Sequence, residues 1–270
     1  MQINKMMVIG TLLFNNRLKR YEEYIEYAKK KGYEIISLEK FYNLSDRRSN
    51  KHFIMRHDVD SYELSTRKMF EKEKKMGISS TYYFRKSTVD KHLIDEMIDA
   101  DFEVGFHFET IANYVREKGN VKKNQIDYEL MSERLKCEIQ EFEMIIGHKI
   151  HSICSHGADE NINLGVSNNT ITEERDMCIF GVDFEAYSEK IYKDIDCHIM
   201  DCTITRGYGF AYYDNPYSAV DEGFSNILFL SHPEHWYDSK RRRKAKIRDI
   251  VKGKAVFRKS KRMFKRISKG

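Results

Sequence analysis

Five of the ten histidines in this 270-residue chain gather at the ends of four short apolar segments. Phe53-Ile54-Met55-Arg56 runs into His57-Asp58-Val59-Asp60, and Phe102-Glu103-Val104-Gly105-Phe106 runs into His107-Phe108-Glu109. His151-Ser152-Ile153-Cys154 runs into Ser155-His156-Gly157, and Asn226-Ile227-Leu228-Phe229-Leu230 into Ser231-His232-Pro233-Glu234-His235-Trp236. Imidazole and carboxylate donors without a thiolate cluster suit a divalent zinc ion, with iron, cobalt or nickel as alternatives. Residues i and i+2 of a strand point the same way, so Asp58 and Asp60 share one face, as do His107 and Glu109. One carboxylate of such a pair holds a metal while the other stays free as a base, which is the arrangement of metal-assisted hydrolysis.

Such residues meet only if the segments that carry them are parallel strands of one sheet. The pattern predicts helices over 17–31, 62–76, 88–100 and 125–146, with Gly32, Gly77 and Gly147 after three of them. Strands are expected at 33–37, 53–55, 81–84, 102–106 and 150–154. Further short apolar segments are at 177–182, 198–204 and 226–230, and the polar, Asn-rich stretch 159–170 reads as a loop. Alternating helix and strand imply an α/β fold with a parallel sheet. About seven strands in some 240 residues favour closure into a barrel over an open doubly wound sheet, and in a parallel barrel every strand opens its C-terminal end on one face.

A hydrophobic content of 41% is enough for a folded core. The net charge of +5 hides a division of the chain. Residues 240–270 carry 16 bases and one acid, Asp249, whereas the rest has 31 bases and 41 acids. The expected organisation is therefore an acidic barrel over 1–239 and a basic tail over 240–270. In the tail, Val256, Phe257, Met263, Phe264 and Ile267 fall on one side of a helix with Lys and Arg opposite, the pattern of an element that lies on an anionic membrane surface. No nucleic-acid partner is expected, because the aromatics lie on the apolar side and not among the bases. Five scattered cysteines without a CxxC pair read as reduced thiols. No apolar run approaches a membrane span. The expected location is cytoplasmic, with the tail at the inner membrane face.

The ordered set HDVD, GFHFE, SHG and SHPEHW resembles the polysaccharide deacetylase (NodB-homology) superfamily, in particular its divergent "polysaccharide deacetylase-like" branch. The similarity extends over roughly residues 17–250 and includes the stretches 181–187 and 201–206. It implies a distorted (β/α)7 barrel and metal-dependent removal of an acetyl group from an N-acetylated amino sugar of a polysaccharide or surface-glycan intermediate. By motif, Asp58 matches the catalytic base, Asp60 and His107 two metal ligands, and His232 the general acid. Four residues after His107, where the family has a second histidine, stands Ile111. The third ligand is then expected from His156 or Glu109, with His156 preferred. The family's Arg-x-Pro loop is also missing. Arg206 is expected to orient Asp58 or bind a substrate anion, and Glu185, His235 and Trp236 to contact the sugar. The alternative reading is a catalytically degenerate barrel that binds glycan or regulates its pathway.

Overall fold

The structure is a computed structural model and describes residues 16–61, 64–201 and 209–237. Residues 240–270 and Arg206 lie outside them. The chain alternates between the two element types along its length. Helix α1 (Leu18–Lys30) leads into β1 (Glu34–Ser37), α2 (Leu38–Tyr42) and the long β2 (His52–Val59). Then come α3 (Leu64–Lys75), β3 (Thr81–Phe84), α4 (Lys91–Asp99) and β4 (Glu103–Phe108). Helices α5 (Thr110–Lys118) and α6 (Tyr128–Ile146) precede β5 (Ser152–Ser155) and α7 (Asp159–Leu164). The last part holds β6 (Phe184–Glu185), α8 (Glu189–Tyr192), β7 (Cys197–Asp201), β8 (Phe210–Ala211), α9 (Pro216–Glu222), β9 (Asn226–Ser231) and α10 (Pro233–Trp236).

One sheet holds all nine strands, in the order β6-β5-β4-β3-β2-β9-β7-β8, with β1 paired to the first half of β2. Every pairing is parallel except β7 with β8. This is the expected α/β architecture, a distorted barrel. Among the described residues its end strands β6 and β8 do not pair with each other.

Two apolar layers follow from strand alternation. Ile54, Tyr83, Cys154, Phe184 and Leu228 pack together on the inside of the curl. Phe53, Met55, Tyr82, Phe106, Ile153 and Phe229 pack on the outside against the helices. β2 is buried along its whole length, so its inward set continues from Ile54 to Arg56 and Asp58. Gly105, inward on β4, makes room for the Tyr83 ring. A Cβ there would stand 2.7 Å from the Ser152 carbonyl oxygen.

The outward residue between Arg56 and Asp58 is His57, which ties the sheet to its helices. His57 Nε2 lies 2.8 Å from Glu73 Oε1 of α3, and Nδ1 lies 2.8 Å from Ser231 Oγ, its register partner on β9. Ser80 and Tyr82 donate to the other Glu73 oxygen at 2.7 Å each. All these groups are buried, and every polar atom named has a partner. The network therefore fixes the ends of β2 and β9 against one another.

Several local expectations change. Residues 159–164 form α7, with Gly165 in the left-handed conformation at its end, and 168–171 form a 3-10 turn, so most of this stretch is not irregular. Its polar residues cap and cross-link: Asn168 Nδ2 donates to Asn161 Oδ1 and to the His156 carbonyl. Residues 177–180 form a 3-10 turn, and the strand of that region is Phe184–Glu185. Helix α4 starts at Lys91, because Asp90 alone accepts the Leu93 N–H.

Candidate metal centre and its flanking acid-base pairs

Parallel pairing brings the C-terminal ends of β2, β4, β5, β7 and β9 to one end of the sheet, where they deliver Asp58 and Asp60, His107 and Glu109, His156, Asp201 and His232. Asp60 Oδ1 is the meeting point. His156 Nε2 lies 3.3 Å from it and His107 Nε2 3.5 Å, while His232 Nε2 is 3.9 Å from Oδ2. Asp60 Oδ1 is shielded from solvent, and neither imidazole meets it in hydrogen-bond geometry. A buried carboxylate oxygen without a hydrogen-bond donor, facing two ring nitrogens, is a donor set that fits a cation.

Each ring is held by its other nitrogen. His107 Nδ1–H donates to the Cys154 carbonyl at 3.0 Å, and His156 Nδ1 lies 2.9 Å from Glu109 Oε1. These contacts leave both Nε2 atoms facing Asp60, the arrangement that supports metal-ligating histidines. Both Glu109 oxygens are engaged, Oε2 by Arg85 at 2.6 Å and Oε1 also by Arg116 at 3.3 Å. Burial would raise the Glu109 pKa, but the His156 and Arg85 contacts outweigh it and hold the group at about 2. Of the two residues expected to supply the third ligand, His156 thus presents a nitrogen to the site and Glu109 stands behind it. Ile111 is buried on α5, with its backbone N–H on Asn168 Oδ1. The second imidazole comes from the end of the neighbouring strand instead.

Asp58 sits deeper. Arg56 Nε and Nη2 donate to its two oxygens at 2.9 Å each, and Asp58 Oδ2 lies 3.6 Å from His107 Nε2. Burial opposes ionisation of Asp58, but Arg56 and His107 outweigh it and keep the pKa below the usual carboxylate range. Cys154 Sγ, 2.7 Å from Arg56 Nη2, stands near Asp58 and His107 as well, but burial pushes its thiol pKa well up, so it offers no thiolate.

On the other flank, Asp201 gathers four donors. His232 Nδ1 approaches Oδ1 at 2.7 Å and His235 Nδ1 at 3.0 Å, while the His232 N–H and Trp236 Nε1 reach Oδ2 at 2.9 and 2.7 Å. Asp201, His232 and His235 also form a cluster of ligand type. Its carboxylate is already satisfied by N–H groups, which distinguishes it from Asp60. Burial works against a charged His232, but Asp201 prevails and raises its pKa to about 10.

The expected sugar contacts fall in other places. Trp236 is fully buried, with its ring against Tyr21 and the Arg17 guanidinium, so it orients Asp201 and has no face free for a sugar. Glu185 is buried and accepts the Ser155 and Tyr187 N–H groups at 3.0 and 2.6 Å, which fixes the ends of β5 and β6. His235 is half-buried beside His232, ring centroids 4.8 Å apart. The partner expected of Arg206, Asp58, is met by Arg56. Arg56, Arg85 and Asp201 are the residues that reading the sequence passed over. Only Arg56 carried a signal, because it lies two residues before Asp58 on the same strand face.

No protein-family model matches the sequence, and no curated protein matches it. Solved structures of similar shape include a CE4 family pseudoenzyme from Bacillus anthracis, 12% identical at a TM-score of 0.40 over 76% of this chain and 62% of that one. A family 4 carbohydrate esterase from Streptomyces lividans, in complex with acetate, is 10% identical at 0.39 over 76% and 90%. A peptidoglycan deacetylase from Bacillus subtilis is 9% identical at 0.31 over 82% and 98%. The chain spans less than two thirds of the length of the first of these. Similarity this distant leaves the chemistry of the site to be decided by its own geometry.

Proposed function

We propose that the protein is a metal-dependent hydrolase that removes the acetyl group from an N-acetylated amino sugar of a polysaccharide or surface-glycan intermediate. The observation that carries this reading is the Asp60 carboxylate facing two buttressed imidazoles, flanked by an Arg-held aspartate and an Asp-held histidine. Asp60, His107 and His156 would hold the cation, zinc by donor type. When bound, such an ion supplies positive charge that eases deprotonation of water and polarises a carbonyl.

The protein's own residues do the rest. Asp58, kept ionised and aimed by Arg56, takes a proton from the attacking water. His232 presents Nε2 to the site while Asp201 holds its Nδ1, so it delivers a proton to the departing amine. That proton is required, because an amine anion is a very poor leaving group. His235 shares Asp201 Oδ1 and stands beside His232, and in this reading it would meet a hydroxyl of the sugar.

The test is release of acetate from tri-N-acetylchitotriose by zinc-loaded protein. Hydrolysis that Asp58→Asn abolishes supports the reading. A zinc-loaded wild type that releases no acetate from this or other N-acetylated sugars favours a binding or regulatory barrel.

The basic stretch 240–270 adds a proposed partner, the anionic surface of a membrane that carries lipid-linked substrate at the inner face. None of the described helices is long and apolar enough to cross a membrane. Flotation of full-length and 1–239 protein with anionic liposomes tests the proposal. Equal flotation of the two would remove it.

A further inference from the structure

Helix α6 turns Met131, Leu135, Ile139, Phe142 and Ile146 to the barrel, and its opposite side meets solvent. Three residues spaced seven apart, Leu130, Cys137 and Met144, run along the middle of that solvent side. Leu130 is 45% exposed and Met144 74%, and Cys137 is exposed as well. Glu133 and Gln140, also exposed, fall between them, so the line follows the alternating three-and-four spacing of a helix that packs on another helix. Single apolar residues on a surface need no explanation, but a repeated line of them along one 19-residue helix does.

The polar residues beside this line are ordered too. Arg134 and Glu141 stand on one flank, and Glu133 and Gln140 on the other. Arg134 is held by Glu117 of α5 at 2.7 Å and lies 5.5 Å from the centroid of the Tyr114 ring. Glu141 is held by Lys86. Both are thus fixed in place along a groove of about 580 Å³ that α5, α6 and Lys86 line.

The two ways of laying this face on a second copy of itself differ in their charges. In a parallel pair each residue meets its own equivalent, so Arg134 faces Arg134 and Glu141 faces Glu141. In an antiparallel pair with a two-fold axis at Cys137, residues equally far before and after Cys137 stand level, and each flank meets the same flank of the other copy. Leu130 then meets Met144 of the second copy. Arg134 comes within one residue of the level of Glu141 of the second copy, on the shared flank. Glu133 meets Gln140 of the second copy on the other flank, a carboxylate against an amide that can donate to it. Symmetry makes every one of these contacts twice. Lys86, Glu141, Arg134 of the second copy and its Glu117 then form a row of alternating sign.

We propose that the solvent side of α6 is a dimerisation surface, on which the α6 helices of two copies of this chain pack antiparallel about a two-fold axis at Cys137. Helices packed about 10 Å apart bring facing Cα atoms to about 5–6 Å, so the two Cys137 thiols come within reach of one another. One pair of helices makes a small interface, and the dimer is expected to dissociate in the micromolar range. The proposal does not depend on the reading of the metal centre.

Sedimentation equilibrium of the full chain tests it, with circular dichroism to confirm that each variant is folded. Arg134→Glu and Glu141→Arg each bring like charges together twice per dimer and should weaken association about tenfold or more. An equimolar mixture of the two variants restores both opposite-charge pairs in the mixed dimer and should regain most of the lost affinity. No other orientation of the helices predicts that rescue. Bismaleimidoethane should join two wild-type copies through Cys137, as read by mass spectrometry of the linked peptides. A wild type that stays monomeric at submillimolar protein overturns the proposal. So do single variants that associate like wild type, a mixture that associates no better than its components, or cross-links that avoid Cys137.

Discussion

Arg56 and Asp58 lie two residues apart on one strand, face the same side, and are joined by two hydrogen bonds of 2.9 Å in a setting closed to solvent. The pair places the candidate base by alternation along a single strand, without help from a distant loop. A buried pair of this kind is most sensitive to loss of one partner, which strands the other charge at a cost of about 3–5 kcal/mol. Arg56→Gln should therefore lower stability and reduce kcat for acetate release about 100-fold, with a smaller change in KM. Arg56→Lys keeps the charge without the two-pronged contact and should fall between. Steady-state kinetics of the two variants check this. A kcat equal to wild type in Arg56→Gln would deny Arg56 its positioning role.

Glu109 predicts a separate effect on metal. It holds His156 by Nδ1 and is itself held by Arg85 and Arg116. Loss of such a supporting contact typically weakens metal affinity 10- to 100-fold. Glu109→Ala should show that loss in zinc titration against a competing chelator and still bind one ion at saturation. Complete loss of zinc at saturation would instead make Glu109 a ligand.

Asp201 sets up His232. Asp201→Asn replaces an oxygen that accepts two N–H groups with an amide NH2, so two of its four donors lose their acceptor. Acid-base groups contribute roughly 10²- to 10⁴-fold to rate, and a loss in kcat within this range is expected. Zinc content should remain at the wild-type value. Loss of zinc together with activity would assign Asp201, His232 and His235 to the metal.

A pH effect is expected at the opposite end of the strands. Burial, and then the adjacent Glu103 carboxylate, raise the Glu39 pKa to about 7. The folded state thus holds a proton that the unfolded chain releases near pH 4.5. The stabilisation is complete below that pH and is lost as pH rises through about 7. Glu39→Gln should raise Tm at pH 8 and leave it unchanged at pH 4. Allowing for solvent screening, the gain is on the order of 1 kcal/mol, or about 2–4 °C. Thermal melts at the two pH values decide, and a gain of equal size at both would remove the electrostatic explanation.

Much of the fold was legible because burial writes itself into period. The all-buried β2 and the spacing of Leu135, Ile139, Phe142 and Ile146 on α6 are visible as sequence. The clustering of Asp60, His107, His156 and His232 followed from parallel strand ends. The roles of neighbours were less legible. Asp201 is one acid among 42 until folding brings two imidazoles and an indole to it. Trp236 reads like a sugar platform, yet nothing in its spacing shows that Tyr21 and Arg17 occupy its faces. Helix α7 was hidden because it holds Asn161 and Asn163, poor helix formers, of which Asn161 caps its start and cross-links to Asn168.

The central claim is that Asp60, His107 and His156 form a metal centre. It is tested most directly by anomalous diffraction at the zinc edge from crystals of the zinc-loaded protein. The account predicts one peak about 2.0–2.2 Å from an Asp60 oxygen and from Nε2 of both histidines. A peak among Asp201, His232 and His235, or no peak at Asp60, would contradict it.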